Sequence, residues 1–331
     1  MNSIIPADLK LFQEFYANLE SKKDIFYMYF TGNLLHYALE STALIPNEVN
    51  LVLITSDLTQ REIQTIQKII HRPHINLPNK YHDGYIWDML IENNEFDFGW
   101  IDVDCFIFNP QIFKEMKIFT EDNIAINTVW ARKYDEYCVD YYFANTYFLF
   151  VNISIYKHVT SLYHDVTMMP SVYNTQSDKI VFEAYKTIGR KLFNSLKIYY
   201  NKLDICLFDT THLYQMLFYI SGFKINRIRN LDQISTYYSQ EALHLGGCHL
   251  IHRYILDDSL KRLYFRFNMR LSFHILYRNL FLLPEEYQRF FLLFKENMIK
   301  NKIDTNIDDV VEKIKSYAER NNINLSIISG R

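Results

Sequence analysis

The chain has 331 residues, enough for one large α/β domain and a smaller appendage. Its 49% hydrophobic and 22% charged residues exclude general disorder, and a net charge of −3 provides no overall field to attract a nucleic-acid backbone. Met1 to Lys10 lacks a basic stretch followed by an apolar one, and no segment runs about 20 apolar residues without charge. The expectation is a cytoplasmic protein with no membrane span and no nucleic-acid partner.

Apolar spacing from Pro6 to about Lys22 predicts a helix, and Ile25 to Phe30 is a run of strand formers closed by Thr31-Gly32-Asn33 before a new helix. The order then repeats. Val49 to Thr55 reads as a strand, and Thr59 to Glu62 has capping-box spacing ahead of the next helix. A short strand at His74 to Leu77 and a helix from about His82 to Asn93 complete the pattern. Strands alternating with helices imply an α/β fold with a parallel, doubly wound sheet.

The next segment, Phe96 to Pro110, is an apolar run interrupted by Asp102 and Asp104. Strands follow at Ile124 to Trp130 and Tyr147 to Asn152, and helices near Ile155 to Tyr163 and Ser177 to Ile188. Weaker strands at Lys197 to Tyr200 and Phe223 to Ile228 flank a helix from about Asp209 to Ser221. Beyond Asp257 the pattern is helical, with a last amphipathic helix from about Asp308 to Asn321, so a boundary is placed near residue 255.

Cys105, Cys138, Cys206 and Cys248 stand singly, without the paired spacing of zinc or redox motifs, and read as reduced thiols. With only 8 glycines in the chain, the adjacent pair Gly246-Gly247 and the turn residue Gly32 stand out against a usual share of about 7%.

Along a strand, residues i and i+2 face the same side, so the carboxylates of Asp102 and Asp104 can converge on one ligand. The carboxyl ends of strands in an open α/β sheet border the binding crevice, and two hard oxygen donors there suit Mg²⁺ or Mn²⁺ bridging a diphosphate. The plainer alternative is a strand ending in two solvated acids. Against it, both flanks are aromatic and aliphatic, and burying two carboxylates there costs several kcal/mol unless a cation or donors compensate.

With Trp100-Ile-Asp-Val-Asp-Cys-Phe-Ile-Phe108 the chain resembles the GT-A glycosyltransferases, over roughly Asp24 to His252. The resemblance implies a GT-A-like Rossmann-type mixed, mainly parallel sheet flanked by helices. Residues 1–255 would form the catalytic domain, with a nucleotide-binding part at about 24–120 and an acceptor part at about 121–255, and 256–331 a helical extension. It further implies a nucleotide-sugar donor, with a UDP-sugar as the default, a glycan, lipid-linked or protein acceptor, and Mn²⁺ or Mg²⁺ as cofactor. Asp104 would bind the metal and Asp102 the metal or the ribose.

By the same resemblance, Thr31-Gly32-Asn33 is the turn at the nucleoside, and Asn145 opens the strand that lines the sugar side. His244, in His244-Leu-Gly-Gly247, would be a third metal ligand, with His249 and His252 as alternatives. Gly246 and Gly247 would close over the diphosphate. An inverting transfer needs a carboxylate base, for which Asp204 and Asp209 are the candidates, although Asp209 before two threonines is equally a helix N-cap. A retaining transfer needs no separate base.

Arg262, Arg266, Arg270, His274 and Arg278 recur every four residues among aromatic side chains. This stripe, through 262–278, suits either peripheral contact with an anionic membrane or an ordinary solvated helix face, and the last helix suits docking or a homo-oligomer. Two other functions compete. A sugar-phosphate nucleotidyltransferase needs a Gly-rich basic loop, whereas Tyr29 to His36 has one Gly and no Lys or Arg. A non-catalytic interaction protein on the same scaffold would bind no nucleotide sugar. A haloacid-dehalogenase-like phosphatase is disfavoured because Phe106 stands where its motif has Thr.

Overall fold

The computed structural model describes residues 4–133, 142–163, 171–174, 198–199, 205–208, 210–229, 241–248 and 266–303. After helix α1 (Pro6–Ala17), strands β1 (Ile25–Thr31), β2 (Leu51–Ser56) and β3 (His74–Leu77) alternate with α2 (Leu35–Ala43), α3 (Gln60–Ile69) and α4 (Asp83–Asn93). Then come β4 (Phe98–Asp102), β5 (Cys105–Ile107), α5 (Gln111–Met116), β6 (Ile124–Thr128), β7 (Ala131–Lys133), β8 (Tyr142–Ala144), β9 (Phe148–Val151) and α6 (Ile153–Leu162). The described remainder contains β10 (Ser171–Asn174), β11 (Ile198–Tyr199), β12 (Ile205–Phe208), α7 (His212–Ile220), β13 (Lys224–Arg227), β14 (Ala242–His244), α8 (Arg266–Asn279) and α9 (Glu286–Lys300).

The main sheet has the order β13-β6-β9-β4-β1-β2-β3. All its pairings are parallel except those of β9, which runs antiparallel between β4 and β6. A mixed α/β fold with a largely parallel sheet flanked by helices results. Register places Thr31 opposite Ser56, and Tyr29 opposite Asp102, so the carboxyl ends of β1, β2 and β4 share one edge.

Both faces of the sheet are covered, which is why β1 is apolar almost throughout. Ile25, Tyr27 and Tyr29 enter one core with residues of α1, α4, α6 and α7; Phe26, Met28 and Phe30 enter the other with residues of α2, α3, α5, α8 and α9. On the second face Gly99 lies beside Phe26 and Phe150. A Cβ at Gly99 would sit 2.1 Å from the Phe26 ring, whose space is already set by edge contact with Phe113 at 5.1 Å and by Phe150 at 5.3 Å. Glycine here is a packing requirement of an aromatic cluster.

The capping box of α3 forms as its spacing predicts, with Thr59 and Glu62 bonded reciprocally. Two elements end sooner than the apolar pattern suggests. The first helix stops at Ala17, where Asn18 donates its side-chain amide to the Glu14 carbonyl. Strand β6 stops at Thr128, whose hydroxyl bonds the carbonyls of Trp130 and Phe148 and accepts from the Trp130 N–H, a local alternative to the ladder.

The described part of the basic stripe turns inward. Helix α8 packs on α2, His274 is buried, and Arg278 faces Glu40 at 3.7 Å. A solvated face or a membrane-facing one is therefore not what His274 and Arg278 form. Arg262, and the expected helices at 177–188 and 308–321, lie outside the described residues. Among the described residues no helix is long and apolar enough to cross a membrane.

Candidate active site

A cleft of about 850 Å³ opens along the edge where β1 and β4 end. Strand β4 terminates at Asp102, and Val103-Asp104 forms a turn before β5. The two acids thus converge through a turn, whereas simple alternation along a continuing strand was the expectation. The third member comes from β14, which pairs antiparallel with β5 so that His244 lies opposite Cys105. The Leu245 N–H donates to the Asp104 carbonyl at 3.2 Å and locks this register at the site.

His244 Nε2 stands 3.1 Å from Asp104 Oδ1 and 3.5 Å from Asp102 Oδ2. One ligand-type atom from each of the three residues lies within 4.8 Å of the others. Asp104 and His244 are buried, and Asp102 keeps 30% side-chain exposure toward the cleft. The imidazole plane is fixed by Tyr147, stacked at 3.6 Å and 16°, while the Tyr147 carbonyl accepts from the Asp102 N–H at 2.8 Å.

The charges follow this geometry. Burial works against the His244 imidazolium, but Asp104 and then Asp102 outweigh it and raise the pKa to about 9. Burial also pushes Asp104 upward, yet the His244 charge and hydrogen bond, with a bond from Cys248, hold its carboxyl below the ordinary range. Asp102 moves the other way, to about 6, because burial exceeds the help it receives from His244 and the Asp104 charge opposes ionisation. Oδ2 of Asp104 is buried with no hydrogen-bond partner among the described residues. A buried carboxylate oxygen in that state, next to a second carboxylate and an imidazole nitrogen, is a donor set that a divalent cation fits.

Of the other expected site residues, Thr31, Asn33, Gly246 and Gly247 line the same cleft. Gly246 and Gly247 both have positive φ, 69° and 68°, which explains a glycine pair in a glycine-poor chain. Gly32 is not on the cleft wall. A Cβ there would meet the Asp57 carbonyl at 2.8 Å, so its glycine serves the approach of the turn to the β2–α3 loop. Asn145 also lies off the wall, its N–H bonded to the Trp130 carbonyl, and its neighbours Thr146 and Tyr147 face the cleft instead. Asp204, Asp209, His249 and His252 lie outside the described residues, although Thr210 lines the cleft.

The sequence reading missed the far wall, Lys80 to Asp83. Its anchor is remote: Tyr81 donates its hydroxyl to Asp8 Oδ2 on α1 at 2.6 Å, and Tyr29 donates to the Tyr81 carbonyl at 2.6 Å. No local motif signals such a wall. Lys80-Tyr-His-Asp83, polar residues directly after a short strand and before a helix, is the only cue the sequence offers.

Residues 6–156 match the StrH glycosyltransferase N-terminal domain. The dTDP-dihydrostreptose--streptidine-6-phosphate dihydrostreptosyltransferase of Streptomyces griseus is 26% identical over 117 residues, covering 35% of this chain and 30% of that protein. The matches support a transferase. The chain spans less than a third of the length of this curated relative. Among solved structures, the glycosyltransferase GlyE of Streptococcus pneumoniae is 13% identical with a TM-score of 0.30, over 44% of this chain and 39% of that one. A cytidylyltransferase from Leptospira borgpetersenii is 14% identical with a TM-score of 0.28, over 43% of this chain and 65% of that one. Likeness this distant bears on neither activity nor ligand.

Proposed function

We propose that the chain is a GT-A-type glycosyltransferase that moves a sugar from a nucleoside diphosphate donor, UDP- or dTDP-linked, with a divalent cation at Asp102, Asp104 and His244. One observation carries this reading: two carboxylates and an imidazole, drawn from segments far apart in sequence, meet at the carboxyl edge of a largely parallel sheet, beside an open cleft. The match over residues 6–156 supports sugar transfer, and the relative's dTDP donor is the reason for placing dTDP beside UDP. Residues 1–255 would form the catalytic unit and 256–331 a helical extension.

Mn²⁺ or Mg²⁺ held there would supply positive charge against the diphosphate as it leaves. The protein's own residues do the remaining work. Tyr147 stacks on the imidazole and fixes its plane, and Asp104 and His244 are buried while Asp102 opens to the cleft. Thr31 and Asn33 border the cleft where the nucleoside would lie, and the Gly246-Gly247 backbone, free of Cβ atoms, can approach the diphosphate closely. Asp209, whose chain neighbour Thr210 lines the cleft, is the proposed acceptor-side base, with Asp204 the alternative.

The decisive test is thermal stability with UDP, dTDP and their sugars, with and without Mn²⁺. Ligand at about 100 times its Kd stabilises by about 2.7 kcal/mol, which a melting curve resolves. Wild type should show a Mn²⁺-dependent upward shift with one pyrimidine nucleotide, and Asp104→Ala should abolish it; an equal shift in that variant rejects the site. In a transfer assay, Asp209→Asn should lower kcat about 10²-fold or more while leaving nucleotide binding intact, and an unchanged kcat removes Asp209 as the base.

A further inference from the structure

Trp100 lies two residues before Asp102 on β4 and therefore on the same side of the strand. Its indole Nε1–H donates to Asp102 Oδ1 at 2.7 Å, while the other carboxylate oxygen, Oδ2, is the one near His244. The ring has little freedom. It is 2% exposed, stacked on Trp87 at 4.9 Å and 29°, and packed beside Tyr29 at 6.4 Å. The chain has three tryptophans, and the indole N–H groups of the other two, Trp87 and Trp130, are buried without a hydrogen-bond partner among the described residues. Among the described residues Trp100 is thus the one tryptophan whose donor is engaged, and its acceptor is a member of the candidate cation site.

We propose that Trp100 is a positioning residue for the cation: its N–H occupies Asp102 Oδ1 and so presents Oδ2 to the ion. This rests on the cation reading of Asp102, Asp104 and His244. Of that set, Asp102 is the member with most freedom, because it is partly exposed to the cleft and its side chain has no other fixed donor besides His244 and Trp100 among the bonds described. A rigid hydrogen bond to the ligand's second oxygen removes the rotation that would otherwise be lost on binding, and outer contacts of this kind typically change metal affinity about 10- to 100-fold.

The test is Mn²⁺ affinity of the full chain, read from the free-Mn²⁺ electron paramagnetic resonance signal without any nucleotide. Wild type is compared with Trp100→Phe and with a variant carrying 3-benzothienylalanine at position 100, which keeps the bicyclic ring and lacks the N–H. Melting curves verify that each variant is folded. Weakening of about 10-fold or more in both variants supports the assignment. Weakening in Trp100→Phe alone shows that ring packing and not the hydrogen bond matters, and overturns it. Equal affinity in all three proteins also overturns it, while leaving the cation site in place. Absence of Mn²⁺ binding to wild type removes the cation site and this role together.

Discussion

Glu62, 3% exposed at the third position of α3, accepts four hydrogen bonds. Two come from Thr59, its N–H at 2.9 Å and its hydroxyl at 3.0 Å; the others come from the Asn33 N–H at 3.0 Å and the Tyr287 hydroxyl at 2.6 Å. Tyr287 also accepts from the Leu35 N–H at 3.2 Å, so the first turn of α2, which has no side-chain cap, is bonded by α9 instead. Glu62→Ala would leave those donors buried without an acceptor, and a loss on the order of 2–4 kcal/mol is expected in denaturant unfolding. Tyr287→Phe removes one donor to Glu62 and also the acceptor of the buried Leu35 N–H, and should cost on the order of 1–3 kcal/mol. Equal stability of Glu62→Ala and wild type would show that water replaces the carboxylate. At this scale the sequence was half legible: the Thr-x-x-Glu spacing announced the capping box, but Asn33 and Tyr287 lie 29 and 225 residues from Glu62, beyond the reach of any local pattern. The same holds for Asp8 and the cleft wall it anchors, 73 residues away.

At the level of elements, β4 carries both its packing and its chemistry in five residues. Gly99→Ala should destabilise by roughly 1–3 kcal/mol, since the new methyl group would have to displace the Phe26 ring from a filled aromatic cluster. A folded Gly99→Ala protein with unchanged melting temperature would mean that the Phe26 ring yields freely. The loop after β14 has a different requirement. Gly246→Ala and Gly247→Ala place side chains at φ near 70°, a strain of about 1 kcal/mol each. Their expected signature is weaker Mn²⁺-dependent nucleotide binding with little change in the melting temperature of the free protein. Elements built from long apolar runs and capping residues were readable to within a few residues, as with β1 and α4. Short pieces such as β5, β8 and β14 were not, because three residues have too few positions to show a period, and their pairing is decided by distant partners.

Across the whole molecule, two histidines on the α2 and α8 side of the sheet, the half-buried His74 and the buried His274, stay neutral. Burial lowers His74 to about 4, and burial with the Arg278 charge does the same for His274. In the unfolded chain both titrate near 6.5, so between about pH 6.5 and 4 the unfolded state binds more protons than the native one. Their contribution is complete above pH 6.5 and declines as the pH falls toward 4, by on the order of 3 kcal/mol for each histidine. Unfolding free energies at pH 7.5 and 5 should therefore differ less in a His74→Asn, His274→Gln double variant than in wild type. A gap as large as that of wild type would assign the acid sensitivity elsewhere. The parallel part of the sheet could be foreseen from strand and helix alternation and its mixed character from the family resemblance, whereas which strand is reversed could not, since the four buried residues of β9 read alike in either direction.

His244 is delivered by β14, after every strand of the seven-stranded sheet has been synthesised. A polypeptide emerging from the ribosome therefore has its paired acids long before the imidazole that lies beside them, and the pairing of β14 with β5 joins segments far apart in sequence. The proposed cation site lacks its imidazole until late in synthesis, and a nascent chain that ends before β14 has at most two of the three proposed donors.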